Sequence, residues 1–246
     1  MAIIKTEAVV LKTFDLRETS RIAVFFSKDE GKISGVLKGI RKDSRKFGSS
    51  VDRFSVNDIV YYQYRNSDLH LISQCDLKEF YYPLRKDLKK SMAATYALEL
   101  VYKIMPSEEK NLRVYQLMKD FLESLRESDD VDHLVHAFQI KILLHSGFRP
   151  HLDACVRTRK KIIGKALFSI KDGGLVSVGE PVTAKDAYPI SPGTTASIQH
   201  IENNDWEKCL RLKLTSVIRK ELKYILNNFL VFHLGKQIKS ARFVNN

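Results

Sequence analysis

Five short apolar runs between Ala8 and Cys75 limit what this chain can fold into, because they carry the residue types of strands and have no helical period between them. Ala8–Leu11, Ile22–Phe26 and Ile33–Leu37 are rich in Val, Ile and Phe, which pack well on a pleated, half-buried surface. The second and third runs are joined by Lys28-Asp29-Glu30-Gly31, a polar turn ending in a glycine that tolerates positive φ. Ile59–Tyr64 and Leu69–Cys75 flank Arg65-Asn66-Ser67-Asp68, a second hairpin signal. Five such strands predict a small closed or partly open barrel.

Among five-stranded barrels the OB-fold is the natural candidate, and its exposed face commonly binds oligonucleotides. Directly after the third run the chain turns basic. Lys38, Arg41, Lys42, Arg45 and Lys46 fall within nine residues, and only Asp43 opposes them. Counting Lys32, six cations lie in fifteen residues and repel one another without a counter-charge. The whole chain is also basic, 41 Lys plus Arg against 29 Asp plus Glu, which favours nucleic acid or an anionic membrane as partner. Arg17 and Arg21 flank the turn between the first two strands and extend the cationic surface. Ser44 is suited to hydrogen-bond a phosphate oxygen, and Gly31, Gly35, Gly39 and Gly48 allow close backbone approach. Phe14, Phe47, Phe54, Tyr61, Tyr62 and Tyr64 are candidate stacking platforms, although for any one of them barrel packing is the stronger expectation.

From Tyr81 onward the apolar period changes to that of helices. Asp87–Met105, Leu112–Leu125 and Leu134–His145 carry apolar stripes, with short connections that predict an antiparallel bundle. Residues 148–195 are broken by glycines and prolines. Ala166–Ile170 and Leu175–Val178 are placed to pair across Lys171-Asp172-Gly173-Gly174, giving a small irregular insert. Ser197–Gln237 returns to helix and is expected to pack on the first bundle. The predicted class is α+β with several domains: 1–80 a nucleic-acid-binding barrel, 81–147 and 196–246 two parts of a helical domain, and 148–195 the insert.

No catalytic constellation is visible. His133 and His136 are three apart on a helix, His151 and Cys155 four apart near the insert, and neither pair gathers the four clustered ligands of a structural zinc site. No glycine fingerprint for nucleotide phosphates is present. No apolar run approaches the roughly 20 residues needed to span a bilayer. The N-terminus shows no signal-peptide pattern, and three scattered cysteines argue for a reducing compartment, so a cytoplasmic location is expected. Two rival readings are an RNA-binding barrel of the translation machinery and a nucleic-acid enzyme such as a nuclease or ligase. The enzyme would need a clustered carboxylate or lysine site, which the barrel region lacks.

Several blocks of the chain, taken in order, carry a further signal. They are Glu7-Ala8-Val9-Val10-Leu11, Asp15-Leu16-Arg17-Glu18-Thr19-Ser20, Glu30-Gly31-Lys32 and Lys38-Gly39-Ile40-Arg41-Lys42-Asp43-Ser44-Arg45 near the start. Further on are Leu143 through Cys155, Phe168-Ser169 with Gly173-Gly174-Leu175-Val176, and Leu234-Gly235-Lys236 with Ile238-Lys239-Ser240. Together these blocks resemble the RecO family of bacterial recombination mediators, and the resemblance implies an N-terminal OB-fold, a helical domain and a zinc-finger-like insert. It implies binding of single- and double-stranded DNA, strand annealing, and loading of the RecA recombinase onto strands coated with single-strand-binding protein. The implied partners are RecR and the acidic C-terminal tail of single-strand-binding protein, with no catalytic activity and no membrane role. The implied DNA contacts fall on Lys38, Arg41, Lys42 and Arg45, supported by Arg17, Arg21 and Lys46. The insert departs from the family pattern: where many members have two Cys-x-x-Cys pairs, this chain reads Cys155-Val156-Arg157-Thr158 and Ser177-Val178-Gly179-Glu180. One of four thiolates is left, so neither structural zinc nor any other cofactor is expected, and Ile162, Leu167, Phe168 and Leu175 are expected to hold the insert.

Overall fold

The structure, a computed structural model, describes residues 2–43, 47, 51–182, 187–235 and 237–241. It divides into two compact units, Met1–Asp129 and Asp130–Asn246. In the first, β1 (Ala2–Leu16), β2 (Ser20–Ser27), β3 (Gly31–Leu37), β4 (Ser55–Gln63) and β5 (Leu69–Phe80) close into a barrel ordered β1-β2-β3-β5-β4. That is the order of an OB-fold. Closure is made by β3 and β5, which run parallel through Ser34–Leu69, Gly35–His70 and Val36–Leu71. The long β1 serves two partners, β4 along its first half and β2 along its second. A register shift between Val10 and Lys12 bends it from one to the other. Side chains alternate as the pleat requires, so Val10, Phe25, Ile33, Ile59, Tyr61 and Ile72 fill the interior.

Two helices belong to the same unit, α1 (Leu88–Ile104) and α2 (Leu112–Glu127). Asp87 caps α1 by accepting from the Lys90 N–H, and Asn111 caps α2 through the Val114 N–H. Tyr115 of α2 lies 6.5 Å, ring to ring, from Phe26 of β2. Its hydroxyl donates to Glu7 Oε1 on β1 at 2.6 Å, and Lys119 Nζ reaches the same oxygen at 3.0 Å. The link between the two helices lies against the start of β3, where Glu108 N–H donates to Lys32 O at 2.9 Å. Gly31 makes that approach possible. Its φ is +70°, and a Cβ there would stand 2.1 Å from Glu109 O.

The second unit contains α3 (Val131–His145), β6 (Ala166–Ser169), β7 (Gly174–Ser177), β8 (Ala187–Ile190), α4 (Pro192–Asn203), α5 (Trp206–Arg211) and α6 (Ser216–Leu234). Buried residues occur on every side of α3, which makes it the central helix. The expected β6–β7 hairpin forms, and β8 joins β6 on its other side. Pro189 masked β8 in the sequence, yet a proline is tolerated on an edge strand. Phe168 and Leu175 are buried as anticipated, with Phe168 edge-on to Phe229 of α6 at 5.6 Å, whereas Ile162 and Leu167 are half-exposed. The helical stretch expected at 197–237 is three helices, each begun by its own capping side chain: Ser191, Asp205 and Thr215. The helices expected to make one bundle therefore fall in two units. α1 and α2 accompany the barrel, while α3 packs with α4, α5 and α6.

Candidate nucleic-acid interface

The β1–β2 turn and the chain leaving β3 lie side by side at one end of the barrel. Arg17 takes φ 53°, the left-handed conformation that closes the first of these turns. Arg41 N–H donates to Thr19 O at 3.0 Å, and Arg41 Nη1 donates to Arg17 O at 3.0 Å. Gly39 N–H lies 3.4 Å from Ser20 Oγ, and the N–H groups of Lys42 and Asp43 both donate to Gly39 O. Ile40 and Phe47 are buried in the barrel core and anchor the segment from beneath. Five of the seven predicted cations are thus gathered on one rim. Arg17, Lys38, Arg41 and Lys42 are exposed, and Arg21 is half-buried. Arg45 and Lys46 lie outside the described residues, as does Ser44.

Acid tempers the rim. Asp15 accepts from Arg21 Nε at 3.3 Å and lies 3.8 Å from Arg41 Nη1, and Glu18 and Asp43 are close in sequence. Exposed pairs of this kind are worth about 0–1 kcal/mol, so Asp15 holds neither guanidinium group strongly. What the arrangement does chemically is hold positive charge on a tied-down backbone, next to a barrel wall. Among its described residues it presents no nucleophile with an adjacent base.

Lys32 is no part of this rim, although it was counted in the basic run. Its Nζ donates to Tyr102 O at 2.8 Å and to Met105 O, so it caps the end of α1 and sits 5.2 Å from the Tyr102 ring. Gly31 likewise serves the approach of the 107–109 backbone and not that of a ligand. Of the candidate stacking rings, Phe47, Phe54 and Tyr61 are buried and Tyr62 is half-buried. Phe14 and Tyr64 remain exposed, with Lys12 Nζ 4.3 Å over the Phe14 ring.

A second feature emerges on α6, whose apolar residues outnumber those it buries. Leu222, Ile225, Leu226, Phe229 and Leu230 face the core, while Val217, Tyr224, Val231 and Phe232 stay exposed. Tyr188 and Pro189 of β8 join Val217 and Tyr224 around a groove of about 920 Å³, edged by Lys220 and Lys223. The signal available in sequence was the heptad spacing of Val217, Tyr224 and Val231, which marks a stripe displaced from the buried one.

His133 and His136 are more buried than a helix start suggests. His133 Nε2 lies 3.0 Å from Cys209 O, and His136 Nδ1 lies 3.3 Å from Gln139 Oε1. Burial pushes the His136 imidazole down to about 4, so it is neutral and structural at ordinary pH. The residues at the insert's expected metal position do not suit zinc. Burial pushes the Cys155 thiol up, but hydrogen bonds from Thr158 and Ser177 outweigh it and bring it to about 6. Those two hydroxyls occupy thiolate positions and bind the metal far more weakly. Among the described residues no group of three or more His, Cys, Asp or Glu could hold a metal.

A closed OB-type barrel with a cationic rim, followed by a helical unit carrying a small three-stranded sheet, defines an α+β protein of two compact units. Residues 1–81 match the family model described as "Recombination protein O N terminal", and residues 85–242 match "Recombination protein O C terminal". The chain belongs to the RecO family of DNA repair proteins. It is similar to the DNA repair protein RecO of Thermoanaerobacter sp. (strain X514), at 32% identity over 100% of this chain and 98% of that protein. It is also similar to the DNA repair protein RecO of Caldanaerobacter subterraneus subsp. tengcongensis, at 31% identity over 99% of this chain and 98% of that protein. The DNA repair protein RecO of Alkaliphilus metalliredigens is 29% identical over 95% of each chain. The family's role is in DNA repair and recombination. No helix among the described residues is long and apolar enough to cross a membrane.

Proposed function

We propose that this chain binds single- and double-stranded DNA through the barrel rim, anneals complementary strands, and assists RecA loading onto strands coated with single-strand-binding protein. The observation that carries the reading is the juxtaposition of the two tied turns, which sets Arg17, Lys38, Arg41 and Lys42 on one edge of an OB-type barrel. Annealing brings two polyanions together, and neutralised phosphates release counterions that lower the repulsion. No covalent step is needed. Such contacts carry no base information, so affinity depends on salt and little on sequence.

Fluorescence titration with single-stranded DNA at several salt concentrations tests the rim. Replacing Arg41 and Lys42 with alanine is expected to lower the slope of log K against log salt by about 1.4, at roughly 0.7 per lost contact. An unchanged slope removes both residues from the interface.

The division of labour follows the four segments read from the sequence, with 1–80 taking DNA and the helical parts taking protein partners such as RecR. The α6 groove suits the acidic tail of single-strand-binding protein, because an apolar floor at Tyr188, Pro189 and Tyr224 is edged by Lys220 and Lys223. A Lys220→Glu, Lys223→Glu variant is expected to bind that tail peptide about tenfold more weakly or worse, from the loss of two charge-assisted contacts. Equal affinity in a calorimetric titration would move the tail elsewhere.

A further inference from the structure

Positive charge is concentrated even more one-sidedly in the second unit than on the rim. Residues 154–171 hold Arg157, Arg159, Lys160, Lys161, Lys165 and Lys171 and no acidic residue, while the chain's net charge is +12. One of the six is structural: Arg157 Nη2 lies 2.7 Å from Asp172 Oδ2, and its Nη1 donates to Pro181 O. Arg159, Lys160, Lys161 and Lys165 are all exposed, and none has an ion-pair partner among the described residues.

The backbone that displays them is tied down. Cys155 N–H donates to Lys160 O at 2.9 Å, Arg159 N–H to Cys155 O at 2.9 Å, and Val156 N–H to Leu175 O of β7 at 2.8 Å. Arg159 takes φ 60°, which turns the chain at the tip of this knuckle. A mobile basic tail loses entropy when a ligand orders it, whereas this loop is ordered before any ligand arrives.

We propose that the 157–165 knuckle is a second binding site for the phosphate backbone of a polynucleotide, carried by a different compact unit from the barrel rim. Four unopposed cations within seven residues gain nothing from one another in the folded chain and gain counterion release on a polyanion. The ligand class follows from the DNA-binding reading above. An anionic membrane is the weaker occupant, because Ile163 is the loop's lone strongly exposed apolar side chain and a membrane anchor needs a broad apolar face. With two backbone sites on one chain, a single molecule holds two strands at once.

The experiment compares three full-length proteins: the native chain, Arg159→Glu with Lys160→Glu and Lys161→Glu, and Arg41→Ala with Lys42→Ala. Each is titrated with labelled oligo-dT across salt, and each is mixed with two differently labelled non-complementary strands to read energy transfer between them. The knuckle variant is expected to lose about 2 from the salt slope, three contacts at roughly 0.7 each, and to lose the transfer signal while melting like the native chain. If it melts early, the corresponding triple Gln variant is used, with the same direction expected. A knuckle variant that keeps both slope and bridging, beside an impaired rim variant, overturns the second site and leaves the rim reading intact. An impaired knuckle variant beside an unaffected rim variant supports the knuckle and sinks the rim. Native binding to phosphatidylglycerol vesicles that the knuckle variant loses, with DNA binding unchanged, assigns the loop to membranes and overturns the proposal.

Discussion

Gly31→Ala is expected to destabilise the barrel unit by about 3 kcal/mol or more, one of the largest single-residue effects in the chain. Two costs coincide there. The φ of +70° is strained for any residue with a Cβ, and that Cβ would meet backbone atoms of Glu109 at 2.1, 2.4 and 2.8 Å. Backbone cannot swing aside as a side chain can, so the 107–109 segment would have to withdraw from β3. Withdrawal would break the Glu108-to-Lys32 hydrogen bond and disturb the His70–Glu108 contact at 2.9 Å. Gly39→Ala separates the two costs. Its φ is +80°, but nothing lies within 4 Å of an added Cβ, so only about 1 kcal/mol of backbone strain is expected. Urea unfolding of both variants checks the argument. Equal losses would mean that the helix link does not press on β3.

The second large effect centres on Glu7. Partial burial pushes its carboxyl up, but hydrogen bonds from Lys78, Tyr115 and Lys119 outweigh that and hold it down at about 2. The charged carboxylate is therefore favoured in the folded state relative to the unfolded chain, whose ordinary value is 4.5. Its contribution is complete above about pH 4.5 and is lost as pH falls towards 2. The shift corresponds to about 2–3 kcal/mol once the half-exposed Lys78 is discounted. Glu7→Gln keeps the shape and removes the charge. At pH 7 the variant is expected to be less stable by that amount, with the gap closing below pH 4.5 as native Glu7 protonates. A gap that stays constant from pH 7 to pH 3 would show that the charge is not what matters.

Much of the fold was legible because local rules and tertiary packing agree in it. The five strands announced themselves by residue type, and turns with Asp, Asn, Ser and Gly marked their ends. The helix starts at Ser191, Asp205 and Thr215 were not legible, because the apolar pattern from Ser197 to Gln237 ran through the breaks and suggested continuity. The cationic rim was legible as composition. Its membership was not: Lys32 has the same charge as Lys42, and only the fold puts it under the carbonyls of α1. Barrel packing was the stronger expectation for each aromatic ring, but only the closed barrel shows that Phe47, Phe54 and Tyr61 are buried while Phe14 and Tyr64 are exposed.

Sequence alone determined the five barrel strands, the β6–β7 hairpin, the helical stretches, the excess of positive charge and the missing thiolates of the insert, because periodicity, charge and ligand chemistry reside in the residues themselves. Tertiary structure alone decided that β3 lies parallel to β5, that Arg17 and Arg41 share a rim, that α1 and α2 accompany the barrel, and that Arg157 pairs with Asp172 while the cations at 159–165 stand unopposed among the described residues. Each of these depends on groups distant in the chain meeting in space, and a linear pattern does not encode which of several chemically equal partners a side chain will find.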